Sequence, residues 1–214
     1  MGLKILLGVC YLLFIVFVPL YDKAYWPEPT KKSLTFKMIA ATAFVGIGVT
    51  GMFITDNSSN YANLMIIGLL LGWFGDLFMH IPHPPGNPRM SVVYIGASGF
   101  LVGHIFYVVG ILAAYPEYVA WQIAFAVFNA IVISLVVHFS SRKMGFDYGK
   151  FGLITLIYSV VTMMTVTFSL NAMNMFGVLP MLKGADTSSV LPKFVIMFIG
   201  TLMFALSDLV LSFV

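Results

Sequence analysis

Seven long apolar runs dictate what this chain can become. They cover roughly residues 3–20, 34–54, 61–80, 91–114, 117–139, 149–172 and 192–214. Each is long and uncharged enough to cross a hydrocarbon layer of about 30 Å as a helix, which satisfies its own backbone hydrogen bonds. The expected fold is therefore all-α: a polytopic transmembrane helix bundle with seven spans, forming a single transmembrane helical domain over residues 1–214. The connections are short and rich in helix breakers, among them Pro27, Pro29, Pro82, Pro84, Pro85, Pro88 and Pro116. The longest expected loop is 173–191, with Pro180, Gly184 and a Thr-Ser-Ser run.

Composition agrees. Hydrophobic residues make up 60% of the chain and charged residues 9%, where a soluble domain carries about a quarter charged residues. The net charge of +3 is too small and too dispersed for nucleic-acid binding. Cys10 is the sole cysteine, so no intrachain disulfide or thiolate metal cluster can form, and it reads as a small buried apolar residue. The first run lacks a small-x-small cleavage site after Val18-Pro19-Leu20 and reads as a spanning helix.

Basic residues set the expected orientation. Eight of them (Lys23, Lys31, Lys32, Lys37, Arg89, Arg142, Lys143 and Lys150) belong to the connections after the first, third and fifth helices; Lys4, Lys183 and Lys193 belong to the opposite face. This asymmetry places the odd-numbered connections in the cytoplasm and the N-terminus on the non-cytoplasmic side. The Asn57-Ser58-Ser59 sequon then falls on that side, close to the membrane. An endoplasmic reticulum or other endomembrane suits a eukaryotic source, the inner membrane a bacterial one.

Of eight acidic residues, six fit loops or helix ends, whereas Asp76 and Asp208 lie inside apolar helices. An Asp at a helix centre costs roughly 2.5–3.5 kcal/mol on insertion scales and persists where it meets a partner or a wet cavity. Both fall in the last third of helices expected to run in the same direction. Gly68-Leu69-Leu70 and Gly200-Thr201-Leu202 precede them at equal spacing, which hints at a parallel repeat. His104, Tyr107, Tyr158 and Lys37 are expected in the same layer, with Asn129 as polar glue between helices. Gly68-x-x-x-Gly72 and Gly99-x-x-x-Gly103 would let helices approach closely. His80 and His83 flank a proline without a carboxylate or thiol nearby in sequence, so no metal site is expected. No phosphate-cradling loop, nucleophile elbow or zincin motif is present.

An ordered set of motifs is more specific than any one of them. Gly75-Asp76-Leu77, Gly99-Phe100-x-x-Gly103-His104-x-x-Tyr107, Tyr158 with Met163-Met164, and Gly200-x-x-x-Phe204-x-x-Ser207-Asp208 occur in that order. Together they resemble the YhhN-like family of lysoplasmalogenase membrane proteins over residues 34–214. Two features differ from the family's usual pattern: Met38 follows Lys37 where a Pro is usual, and the chain ends soon after Asp208 where an eighth helix usually follows.

The resemblance implies cleavage of the vinyl ether bond of a lysoplasmalogen, a lysophospholipid substrate within the bilayer, to a fatty aldehyde and a glycerophospho-base. Asp76 and Asp208 are the expected catalytic pair, and His104, Tyr107, Tyr158 and Lys37 the expected substrate-binding residues. No cofactor is expected. Two other readings stand beside it: a proton-coupled carrier, which also uses intramembrane Asp and His, and a non-catalytic helical subunit of a membrane protein complex. Beyond the lipid, the expected partners are further copies of the chain or a larger membrane complex, and no nucleic acid.

Overall fold

A computed structural model describes residues 1–25, 30–55, 59–82, 90–115, 117–143, 145 and 152–211; the side chains of 90, 142 and 207–211 lie outside this description. The described residues form helices and no strands. In chain order the helices are α1 (Gly2–Tyr25), α2 (Lys31–Ile54), α3 (Asn60–Met79), α4 (Met90–Ala114), α5 (Ala120–Lys143) and α6 (Gly152–Ala172). A π-helical turn (Met173–Val178) then leads into α7 (Leu179–Leu182), and α8 (Leu191–Leu211) follows.

Six helical segments are long and apolar enough to cross a membrane, and the described part of α8 adds a shorter apolar helix, Leu191–Leu206. Burial runs opposite to that of a water-soluble protein. Trp121, Leu153 and Ile196 are exposed, while Ser134, Ser141, Thr162, Thr165 and Ser169 are buried. Large apolar side chains facing outward require a hydrocarbon solvent. This is an integral membrane protein.

The chain divides into two compact units, Met1–Gly110 and Ile111–Val214. In the first, α2 begins with a capping box: Thr30 Oγ1 accepts from the Ser33 amide (3.0 Å) and Ser33 Oγ from the Thr30 amide (2.8 Å). That start puts Lys37 between one and two turns inside α2. α3 is capped by Ser59 and ends at Met79, so Asp76 falls in its last turn. α3 and α4 pack through the glycines their sequences suggested. A Cβ built on Gly99 would stand 2.9 Å from the Leu71 carbonyl, and one on Gly103 would stand 3.0 Å from that of Gly68.

In the second unit α5 and α6 pack closely, with Thr167 Oγ1 donating to the Ala126 carbonyl (3.0 Å). A 2.7 Å hydroxyl pair, Ser169 and Thr201, ties α6 to α8. Tyr115, Tyr118, Phe168, Phe176 and Phe194 form an aromatic cluster, in which Tyr118 donates to the Phe168 carbonyl (3.1 Å).

Several expectations are corrected. α1 does not stop near residue 20 but continues through Pro19 to Tyr25; the hydrogen bond Pro19 cannot make is one a spanning helix tolerates. The expected loop at 173–191 is helical as far as Leu182. Pro180 lacks a donor for the carbonyl four residues back, and the chain widens into the π turn just before it. Asn129 bonds to the Phe125 carbonyl of its own helix (2.8 Å). Gly68 and Gly200 are not equivalent: Gly68 lies under the Tyr107 ring, while Gly200 has open space around it. His83 and the Asn57 sequon lie outside the described residues.

Candidate functional site

At one end of the first unit, three helices bring their polar residues together. Lys37 Nζ of α2 stands 3.1 Å from Asp76 Oδ1 of α3, and both side chains are partly exposed. The same ammonium lies over the ring of Tyr21 of α1, 5.2 Å from its centroid. Tyr21 in turn packs against Tyr25 (5.5 Å) and edge-on against His80 (5.4 Å). His80 caps α3, and its Nδ1–H donates to the Asp76 carbonyl at 2.8 Å. Burial, and then the charge of Lys37, lower the His80 pKa from its ordinary 6.5, which favours the neutral ring.

The arrangement is an anchored ion pair. Lys37 holds one carboxylate oxygen, while the rings of Tyr21, Tyr25 and His80 shield the pair on the α1 side. An ion pair engages the ionised carboxylate, and this form can steady a cation or orient water. Trp73 Nε1–H donates to Thr42 Oγ1 (2.9 Å) one turn deeper, which fixes α2 against α3.

His104 and Tyr107 do not share this layer. Their rings meet edge to face at 5.6 Å, and His104 is buried. Gly103 sits against the Gly68 carbonyl and Tyr107 against Gly68 itself. That register sets the pair level with Gly68, about 12 Å along α3 from Asp76 at 1.5 Å per residue. The glycine faces fix the register of α3 on α4, and counting residues in from the helix ends does not reveal it.

Tyr158 lies in α6 of the second unit and is partly exposed. Asp208 lies in α8, with its side chain outside the described residues. Tyr21, Tyr25 and His80 are the site residues that sequence reasoning missed. The signal for His80 was its place directly after an Asp-bearing helix; for the two tyrosines it was a helical periodicity that runs on past Pro19.

With this geometry in place, the comparison with known families is decisive: residues 31–213 match the YhhN family. The chain belongs to the YhhN family. No curated protein and no solved structure matches it. Lys37, Asp76, His104, Tyr107, Tyr158 and Asp208 all lie within the YhhN match, whereas α1, which brings Tyr21 and Tyr25 to the ion pair, precedes it.

Proposed function

We propose that this YhhN protein is a lysoplasmalogenase-type hydrolase, which cleaves the vinyl ether bond of a single-chain ether phospholipid inside the membrane. The observation that carries the reading is the Lys37–Asp76 ion pair, set in the last turn of an otherwise apolar helix. A carboxylate so held is suited to a reaction that passes through a cation.

Vinyl ether hydrolysis begins with a proton delivered to the alkene carbon remote from oxygen. The adjacent carbon and the ether oxygen then share positive charge as an oxocarbenium ion. Water adds to that carbon, and the resulting hemiacetal releases the fatty aldehyde and the glycerophospho-base. In this scheme Asp76, ionised and positioned by Lys37, steadies the cation and orients the water. Asp208 is assigned the proton, so that two carboxyl groups divide acid and carboxylate roles as in glycosidases. Lys37 can also meet the lipid phosphate. Tyr158 is assigned to the glycerol hydroxyls, and His104 and Tyr107, two turns deeper, to steering the chain.

The test is aldehyde release from lysoplasmalogen by purified protein in lipid. Asp76→Asn and Asp208→Asn are each expected to lower kcat by at least 100-fold, in line with the loss of a positioned acid–base group. Full turnover in both variants would remove the two-carboxylate reading.

A further inference from the structure

Two contacts fix how α6 and the π turn that continues it lie against α8. Ser169 Oγ meets Thr201 Oγ1 at 2.7 Å, and seven residues further along the Phe176 ring stacks on that of Phe194, with centroids 6.0 Å apart. Each step forward along one helix is thus matched by a step back along the other, as in an antiparallel pair. The same register runs from the hydroxyl pair toward the N-terminal end of α6. One turn on, Thr165 and Ala205 come level, and both are buried, at 3% and 2% exposure. Two turns on, Thr162 comes level with Asp208, each seven residues from its member of the hydroxyl pair. Seven residues is almost two whole turns at 3.6 residues per turn, so both positions return to the faces through which the helices pack.

Thr162 arrives there with an unmet bond. It is 3% exposed, and its Oγ1 has no hydrogen-bond partner among the described residues. Thr165 and Ser169, on the same face, satisfy themselves on carbonyls of their own helix, those of Val161 (3.4 Å) and Val166 (2.8 Å); Thr162 does not. α5 offers it nothing. Thr167 on the Ala126 carbonyl (3.0 Å) and Asn171 on that of Gln122 (3.4 Å) set the α5 register, which brings Ala130 and Ile131 level with Thr162, and neither side chain can accept a hydrogen bond. On the α8 side the residue at that level is a carboxylic acid. A buried hydroxyl left without a partner is destabilising, and a carboxyl group is an acceptor that satisfies it.

We propose that Thr162 is a positioning residue for Asp208, its hydroxyl donating to the carboxyl group. Such a bond holds the plane of the carboxyl and leaves the acid proton free to point at a substrate. It also strengthens as that proton departs, because a carboxylate accepts more strongly than a neutral acid. Asp208's part as the acid rests on the hydrolase reading; the hydrogen bond stands or falls without it.

The test is infrared spectroscopy of the full chain in nanodiscs, with turnover of lysoplasmalogen measured alongside. Asp208→Asn identifies the C=O stretch of the protonated carboxyl by removing it. Thr162→Val, which keeps the shape and loses the hydroxyl, is expected to move that band to higher frequency, and Thr162→Ser to leave it in place. Thr162→Ala repeats the measurement should Thr162→Val not fold. Ser134→Ala removes another buried hydroxyl without a partner among the described residues, on α5, and is expected to leave the band unmoved. In turnover, Thr162→Val is expected to lower kcat about five- to ten-fold with KM unchanged, and Thr162→Ser to keep most of it. A band that stays put without the Thr162 hydroxyl, or that Ser134→Ala moves as far, would overturn the proposal whatever the turnover. A shifted band with unchanged kcat would overturn the positioning role. A shifted band in a chain that releases no aldehyde upholds the hydrogen bond and removes the hydrolase.

Discussion

An ammonium and a carboxylate set among hydrocarbon residues each carry a desolvation cost, and their pairing offsets it only while both partners stay. Lys37 and Asp76 meet that condition, with the rings of Tyr21 and His80 over them. Both charges were legible as isolated polar residues, but their partnership was not. Lys37 was expected only among the substrate-binding residues, and the aromatic cover was hidden because the first apolar run was bounded at residue 20, short of Tyr21 and Tyr25. His80 gives this end of the molecule a pH dependence. Its folded-state pKa lies below 6.5, so below that value the unfolded chain binds the proton more readily. Stability is full above pH 6.5 and falls as pH drops from there toward the folded pKa. Thermal unfolding in mild detergent at pH 7.5 and pH 5.5 checks this: His80→Gln is expected to show a smaller acid-side loss of Tm than the parent chain. An equal loss in both would assign the acid sensitivity to other groups.

At the scale of helices, hydropathy made the long segments readable, because a spanning helix needs only length and an absence of charge. Their ends were less so. α1 ran past its proline and α6 ran on through a π turn, since in hydrocarbon one lost hydrogen bond does not end a helix whose neighbours can accommodate it. The glycine spacing did foretell the α3–α4 contact, yet it carried no information on register, and so His104 and Tyr107 were expected a layer too shallow. Glycines at that contact are not exchangeable. Gly99→Leu would drive a side chain into the Leu71 carbonyl and the Gly75 backbone, and a loss of about 1–3 kcal/mol is expected from overpacking. Gly200→Leu, with nothing near it, is expected to stay within about 0.5 kcal/mol of the parent. Unfolding in detergent reads both, and equal effects would refute the packing argument.

Across the described residues many hydroxyls and small residues lie inside while most large apolar side chains face outward, Phe168, Ile111 and Phe194 being buried exceptions. That pattern follows from the solvent, and composition alone announced it. Orientation rests on charge asymmetry, which predicts that Lys32 faces the cytoplasm. In a Cys10→Ser background, Lys32→Cys is expected to react with an impermeant maleimide only from the cytoplasmic side, and labelling from the opposite side would invert the topology. An open groove of about 700 Å³, lined by Leu6, Cys10 and Leu13 of α1 and by α2 from Leu34 to Thr50, gives sideways onto the bilayer that these helices cross. A molecule that enters or leaves by such a route never passes through bulk water. The quantity that governs occupancy is then a mole fraction in two dimensions, so diluting any membrane-dissolved ligand with inert bilayer at fixed total amount would empty the groove as surely as withholding it.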